Sequence, residues 1–284
     1  MLRVPTARPL LVAIAVACGC GRKQGEASND AAAAAPSSAV ALPACPKGMV
    51  AIPAGTFEPA RGKGAVEMAA FCLDETEVTV EAYAACMRAA SCTEPERFRR
   101  DNPTMFGEDC NWKHPDDRSR HPINCVDWVQ ATAFCAWAEK RLPTAEEWEW
   151  AARGGDEARK YPWGADAPAA DLLNACGAEC AKRDRSSHRV GHKAMYSGDD
   201  GWVGTAPVGS FPRGKSRFGA LDMAGNVEEW TSTKQAGGPS DPADGRVFRG
   251  GSFSRDAPDA VSASSRTAYL TDLDTPVIGL RCAK

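Results

Sequence analysis

The spacing of apolar side chains predicts three helices in the first half of the domain. Thr144 and Glu147 form a capping box in front of a helix that should end at Gly154-Gly155. Asp127 is placed to cap a second helix. The apolar residues of that helix recur on one face: Ala131, Phe134, Cys135 and Ala138. A third helix is expected to begin after Thr79.

The second half of the chain shows little regular periodicity. After about Tyr161 it is dense in Gly, Pro, Asp and Ser, and the only strand-like runs are Arg246 to Phe248 and Val277 to Leu280. Large aromatic residues can fill gaps between irregular segments, so three tryptophans are expected in the core rather than in ligand stacking: Trp148, Trp150 and Trp230. The pattern predicts a compact, loop-rich α+β domain.

The N-terminus has the pattern of an export signal. Two arginines precede the apolar run Leu10 to Ala17, which is too short to span a bilayer, and small residues lead into Cys18. This pattern resembles a bacterial lipobox and predicts a signal peptide over residues 1–20 with lipidation at Cys18. The alternatives are lipidation at Cys20 or an ordinary secretory signal cleaved nearby.

Composition divides the rest of the 284-residue chain into a tether and one domain. Residues 21–42 are rich in Ala and Ser and almost free of large apolar side chains, so they predict a disordered tether. Residues 43–284 are long enough for one large domain. The net charge is only −3, and acidic and basic residues are mixed along the chain, so no nucleic-acid interface is expected. Membrane contact is expected only through the lipid anchor. The predicted location is the bacterial cell envelope, either lipid-anchored or periplasmic or secreted.

Ten cysteines follow Cys20, an even number that predicts disulfides in an oxidising compartment. Short spacings favour three local pairs: Cys86 with Cys92, Cys110 with Cys125, and Cys176 with Cys180. Four cysteines remain for long-range bridges, and spacing alone leaves their pairing open: Cys45, Cys72, Cys135 and Cys282. A thiolate metal site would need tighter paired spacings than any of these.

Nine segments occur in an order that resembles the sulfatase-modifying-factor family, which includes the formylglycine-generating enzyme and non-haem-iron sulfoxide synthases. They begin with Gly48 to Gly55, Asp74 to Thr79, His121-Pro122 with Cys135-Ala136-Trp137, and Lys140 to Thr144. They continue with Tyr161 to Gly164, Gly204 to Val208, Asp222 to Trp230, Arg249 to Ser252, and Gly279 to Cys282. The resemblance implies a C-type-lectin-like fold and a bridge between Cys135 and Cys282.

The resemblance also exposes what this sequence lacks. Family enzymes hold copper through two cysteines just after the Gly-Gly-Ser turn, because soft thiolates suit cuprous ion. The nearest positions here are Arg255 and Ala260, with Ser252 at the turn, and no cysteine lies between Cys180 and Cys282. Copper is therefore not expected as a cofactor.

Histidines offer no replacement for the iron site of the sulfoxide-synthase branch. That branch uses clustered histidines on a helix, whereas the only close pair here, His188 and His192, lies in a loop-like stretch without a following Glu. We expect all four histidines, which include His114 and His121, at the surface or in loops rather than on a metal.

Calcium is the ion that the resemblance still implies. The first family site would use Asn174, Ala175, Asp200 and Trp202, with Ala175 and Trp202 acting through carbonyl oxygens. The second would use Asp222, Gly225, Val227 and Glu229, with Gly225 and Val227 acting through the backbone. The alternative is that residues 199–201 form an ordinary exposed turn and that Glu229 is a surface charge.

Three functions are compatible with these residues. The first is a non-catalytic exported module that holds a peptide or protein segment in the family groove, near Ser252, Arg255 and Ala260. The second is a formylglycine-generating oxidoreductase acting on a protein cysteine, which the missing thiols oppose. The third is a metal oxygenase with altered ligands, such as Asp256, Asp259 or a histidine.

Overall fold

The computed structural model describes residues 42–62, 64–95, 109–186, 193–235 and 244–284, with side chains up to residue 182 in the third range. The predicted signal peptide, Cys18, Cys20, nearly all of the tether, His188 and His192 lie outside these residues. Within the described ranges, no helix combines the length and apolar character needed to cross a membrane.

The described residues contain eight short strands, which form three small sheets. Two are antiparallel pairs, β1 with β4 and β2 with β3, and the third has four strands in the order β7-β6-β5-β8. In the third sheet β5 pairs antiparallel with β6 and parallel with β8. The strands are β1 (Met49–Ile52), β2 (Gly55–Phe57), β3 (Val66–Met68), β4 (Phe71–Asp74), β5 (Glu228–Lys234), β6 (Arg246–Arg249), β7 (Thr267–Tyr269) and β8 (Ile278–Gly279).

Five α-helices lie between or beside the sheets: α1 (Val80–Arg88), α2 (Pro115–Arg118), α3 (Trp128–Trp137), α4 (Ala145–Ala152) and α5 (Ala178–Ser186). The three predicted helices are α1, α3 and α4. Thr79 caps α1, and complete capping boxes begin α3 at Asp127 and α4 at Thr144. These helices form where predicted because their N-terminal amide groups find partners within the same stretch of sequence.

One expectation was wrong. The region after Tyr161 contains the helix α5 as well as short strands, and this helix begins within the turn that the Cys176–Cys180 disulfide closes. His121 lies in a loop, as expected, but it is buried: it is only 7% exposed, and its ring is hydrogen-bonded inside the domain. His114 is exposed, as expected.

The core consists of three apolar clusters around large aromatic side chains. Trp230 lies in the cluster between α1, α3 and the four-stranded sheet, whereas Trp148 and Trp150 of α4 pack against β1 and β4. All three tryptophans are at most 3% exposed, which confirms the expectation that they belong to the core. The third cluster centres on Tyr161 and Tyr196.

Five disulfides join all ten cysteines from Cys45 onward. The three predicted local pairs are present, namely Cys86–Cys92, Cys110–Cys125 and Cys176–Cys180. Cys135 pairs with Cys282 across 147 residues, as the resemblance implied, and Cys45 pairs with Cys72. No free thiol is therefore present in the described part of the chain.

Candidate functional site

The loop that follows β6 begins with two glycines that the backbone requires. Gly250 and Gly251 both have positive φ, of 98° and 70°. A Cβ on Gly251 would lie 2.7 Å from the carbonyl oxygen of Ala260, so only glycine lets the loop return so closely on itself. Ser252 is fully buried, and its hydroxyl lies 3.2 Å from that of Ser254. The fold thus brings the Gly251-Ser252 turn against the backbone of Ala260.

An ion pair holds Arg255, the residue that the family resemblance matches to the first copper-binding cysteine. Arg255 donates through Nε to Glu228 Oε1 at 3.0 Å and makes a second contact with the same oxygen through Nη2. The Glu228 side chain is 4% exposed, whereas that of Arg255 is 37% exposed. Burial raises the pKa of Glu228, and the charge of Arg255 acts in the opposite direction. Sequence reasoning missed Glu228 because its partner lies 27 residues away.

The two aspartates considered for altered chemistry do not converge on a ligand set. Asp256 accepts a hydrogen bond from the backbone N–H of Lys193 at 3.3 Å. Asp259 forms an ion pair with Lys160, and its side chain is 90% exposed. Neither arrangement gathers the several donors that a reactive metal requires.

The predicted second calcium centre contains more buried carboxylate side chains than the sequence indicated. Glu229 is fully buried and bidentate to Arg281, so the alternative of a surface charge is wrong. Trp148 also donates to Glu229 at 2.7 Å. Asp222 accepts from the backbone N–H of Gly209 at 2.6 Å.

Glu77 is the residue of this centre that sequence reasoning missed. It is 2% exposed, and neither of its carboxylate oxygens accepts a hydrogen bond from an N–H or hydroxyl donor, although its carboxyl lies within hydrogen-bonding reach of that of Asp222. Burial, followed by the charge of Asp222, raises its pKa well above the usual value. The pKa of Asp222 is raised too, chiefly by burial. Glu77, Asp222 and Glu229 together face one guanidinium, that of Arg281, so negative charge is in excess here.

The predicted first calcium centre is assembled around Asp200. Its Oδ2 accepts from the Tyr196 hydroxyl at 2.6 Å, and its Oδ1 accepts from the Trp202 backbone N–H at 2.9 Å. Burial raises the pKa of Asp200 to about 6. The Ala175 carbonyl already accepts from the Gly177 N–H at 2.8 Å.

Asn174 links the two centres. Its carbonyl oxygen accepts from the backbone N–H of Asn226 at 2.8 Å, and its Nδ2 donates to Asn226 Oδ1 at 3.1 Å. Asn226 lies in the turn that carries the second centre, and its own carbonyl accepts from the Phe253 N–H in the loop after β6. A Cβ on Gly225 would lie 2.1 Å from the Asn174 carbonyl oxygen, so this contact demands glycine. The centres and the loop therefore share one hydrogen-bonded frame.

His121 belongs to a polar cluster beside the first centre rather than to a metal site. Its Nδ1 lies 2.9 Å from the Thr205 hydroxyl, and its ring meets the edge of Trp202. Burial and the nearby charge of Arg118 lower its pKa to about 4, so the imidazole is neutral at pH 7.

Comparison with known proteins shows one family to which this chain is similar. Residues 36–284 match the family described as the sulfatase-modifying factor enzyme 1-like domain. The formylglycine-generating enzyme of Thermomonospora curvata is 32% identical, over 84% of this chain and 93% of that protein. The inactive C-alpha-formylglycine-generating enzyme 2 of Bos taurus is 33% identical, over 59% of this chain and only about half, 51%, of that protein.

The fold is also found in a solved structure. PvdO from Pseudomonas aeruginosa has a TM-score of 0.59 at 24% identity, covering 83% of this chain and 93% of that one, which shows a shared fold. The family match, the fold and the ordered sequence segments agree: this chain belongs to the sulfatase-modifying-factor, or formylglycine-generating-enzyme-like, family.

Proposed function

We propose that this protein is a non-catalytic member of its family that binds a peptide or protein segment in the groove beside the loop after β6. The observation that carries the proposal is the ion pair of Arg255 with Glu228, since Arg255 is the residue that the resemblance matches to a copper-binding cysteine. The second such position is Ala260, which has no ligand atom in its side chain. An inactive relative among the family's curated members supports the same reading.

The test is an aldehyde assay with copper. The purified protein, loaded with cuprous ion and incubated in air with a thiol reductant and a cysteine-containing peptide, should yield no peptide of the mass expected for the formylglycine product. The Thermomonospora curvata enzyme serves as the positive control. Formation of a formylglycine product would overturn the proposal and favour an oxidoreductase. Consumption of oxygen with iron or another metal instead would favour the altered oxygenase.

Binding in the groove can be tested separately. A peptide library displayed on phage should enrich sequences that bind the wild-type protein, and Arg255→Ala should weaken their binding because Arg255 is the exposed cation of the loop. The exposed Arg213 lies outside this loop and forms a pair with Asp171, so Arg213→Ala is the matched control. Equal binding by wild type and Arg255→Ala would remove this loop as the binding surface.

We further propose that calcium occupies both centres as a structural ion. At the second centre, the two oxygens of Glu77, which lack N–H or hydroxyl donors, and the excess negative charge fit a hard divalent cation. At the first, Asn174 is 1% exposed and its Oδ1 has no hydrogen-bond partner. Calcium would be held by the oxygen ligands of these residues and would neutralise their charge. Chelation should lower the melting temperature, and an unchanged value would exclude structural calcium.

The location proposed for the protein is the cell envelope, through lipidation of Cys18. Five disulfides support an oxidising compartment. Cells grown with a labelled fatty acid should label the wild-type protein but not Cys18→Ser. Labelling that is lost only in Cys20→Ser would move the anchor to Cys20, and labelling of neither protein would favour a cleaved secretory signal.

A further inference from the structure

The turn that begins α5 presents a carboxylate that the family's predicted ligand set does not include. Cys176 and Cys180 are joined by a disulfide, and Glu179 lies between them. Glu179 Oε1 accepts from the Gly177 N–H at 3.1 Å, while its Oε2 is buried and has no hydrogen-bond partner. A Cβ on Gly177 would lie 2.6 Å from the Tyr196 ring and within 2.9 Å of both Glu179 oxygens, so the turn is closely fitted to this side chain.

This carboxylate faces the first predicted calcium centre. One oxygen each of Glu179, Asp199 and Asp200 lie within 4.8 Å of one another. Oxygens that share one calcium ion, each 2.3–2.6 Å from it, are at most about 5 Å apart. No Lys, Arg or His among the described residues forms an ion pair with any of the three.

A second feature of the same region also requires a cation. Asn174 is 1% exposed, and although its Nδ2 has two acceptors, its Oδ1 has none of the donors that a buried amide oxygen needs. The next residue, Ala175, directs its N–H towards Asp200 Oδ2 at 3.3 Å, which places Asn174 beside the acidic group. A buried amide oxygen without a donor is explained when it coordinates an ion.

We propose that Glu179 is a direct ligand of the divalent cation at the Asn174 and Asp200 centre, and that the Cys176–Cys180 disulfide holds it there. The inference rests on the proposed calcium function and adds a ligand to it. Glu179 supplies the charge that Asn174 lacks, and the disulfide fixes the backbone on both sides of Glu179. The ordering of this side chain then costs less when the ion binds.

The experiment is a calcium titration of the chelator-treated, full-length protein by calorimetry. Asp200→Asn identifies the binding step that belongs to the first centre. Glu179→Gln should then weaken that same step by about tenfold or more, because affinity follows the number of charged ligands. Cys176→Ser with Cys180→Ser should also weaken it. Two matched controls should leave it unchanged: Glu139→Gln, which changes an exposed carboxylate, and Cys86→Ser with Cys92→Ser, which opens another short disulfide.

The outcomes separate the two proposals. If the wild-type protein binds calcium in a step that Asp200→Asn removes but Glu179→Gln leaves intact, the added ligand is wrong and the calcium site stands. If the wild type shows no such step, the proposed calcium site and the added ligand both fail. If only the cysteine variant leaves the step intact, Glu179 is a ligand and the disulfide does not position it. Thermal melts of each variant without calcium establish that it is folded.

Discussion

Replacing Glu77 by Gln should change the stability of this protein by different amounts with and without calcium. The substitution keeps the size and shape of the side chain and removes its charge. Because Glu77 is 2% exposed, its oxygens lack N–H or hydroxyl donors, and it faces Asp222 and Glu229, its ionised form is costly whenever no cation is bound. Burying one ionised carboxylate costs several kcal/mol even after the protein relaxes, and this sets the rough size of the stability that the charge of Glu77 can remove.

The pH dependence gives the sign of the effect. The pKa of Glu77 in the folded protein is raised above its ordinary value of 4.5, so the folded protein keeps a proton that the unfolded chain loses. In chelator, stability should therefore fall as pH rises above 4.5 and continue to fall until the folded pKa is passed. Glu77→Gln removes this contribution. At pH 7 in chelator the variant should be at least as stable as the wild type.

Calcium should shift the comparison back towards the wild type, by about 1.3 kcal/mol. With a Kd of about 10 µM, 1 mM calcium stabilises the wild type by about 2.7 kcal/mol, and a tenfold weaker site in the variant gains only about 1.4 kcal/mol. Urea unfolding followed by tryptophan fluorescence, at pH 5 and pH 7 with and without calcium, measures all four values. Glu75, two residues away and exposed, provides the control Glu75→Gln, which should alter none of them.

One result would refute this reasoning. If Glu77→Gln lowers the free energy of unfolding by the same amount in chelator and in calcium, then Glu77 stabilises the fold through a fixed protein partner. The excess negative charge would then need another explanation, and the second calcium centre would lose its main support.

Three further predictions follow from the other parts of the structure. Replacing both Cys135 and Cys282 by Ala should lower the free energy of unfolding by up to about 5 kcal/mol, since their bridge closes a loop of 147 residues. A loss below about 1 kcal/mol in urea unfolding would contradict the argument that the bridge acts by restricting the unfolded chain. Arg255→Ala should lower the free energy of unfolding by about 1–2 kcal/mol, which is less than for a fully buried pair because Arg255 is 37% exposed. Adding Glu228→Gln should restore most of that loss. A double variant that is as unstable as Arg255→Ala would show that packing, and not charge, stabilises the loop. The His121 imidazole should titrate by NMR near pH 4, so that its contribution to stability is lost as pH falls from 6.5 towards 4, and an apparent pKa above 6 would show that the ring is exposed.

The sequence predicted best those features whose partners lie close along the chain. Thr144 and Glu147 satisfy each other's backbone groups within one turn, so the start of α4 could be read directly. The disulfide from Cys176 to Cys180 was also predicted from spacing. The helix α5, which begins within this disulfide loop, was missed. Its sequence is as polar as that of a loop and shows no apolar periodicity, so the pattern of residues does not indicate a helix.

The residues of the second calcium centre could be predicted only in part. Asp222 and Glu229 lie in one matched segment, but Glu77 and Arg281 come from segments about 150 and 50 residues away in the chain. Nothing local to Glu77 indicates that it is buried, since its neighbour Glu75 is exposed in the same acidic stretch. Only the three-dimensional approach of β4, β5 and the C-terminal segment shows that three carboxylates share one guanidinium.

The change at the groove is compatible with an intact fold because the two depend on different residues. The buried frame is built from Glu229, Arg281 and Trp148. Trp148 and Arg281 both donate to Glu229, without any contribution from Arg255 or Ala260. A thiolate at position 255 would leave the neighbouring Glu228 buried without a cation, whereas Arg255 neutralises it and keeps 37% of its own side chain exposed. In the proposed function, the absence of copper ligands at 255 and 260 and the buried acid beside them are therefore coupled. Restoring cysteines at 255 and 260 should not restore copper oxidation unless Glu228 is neutralised as well.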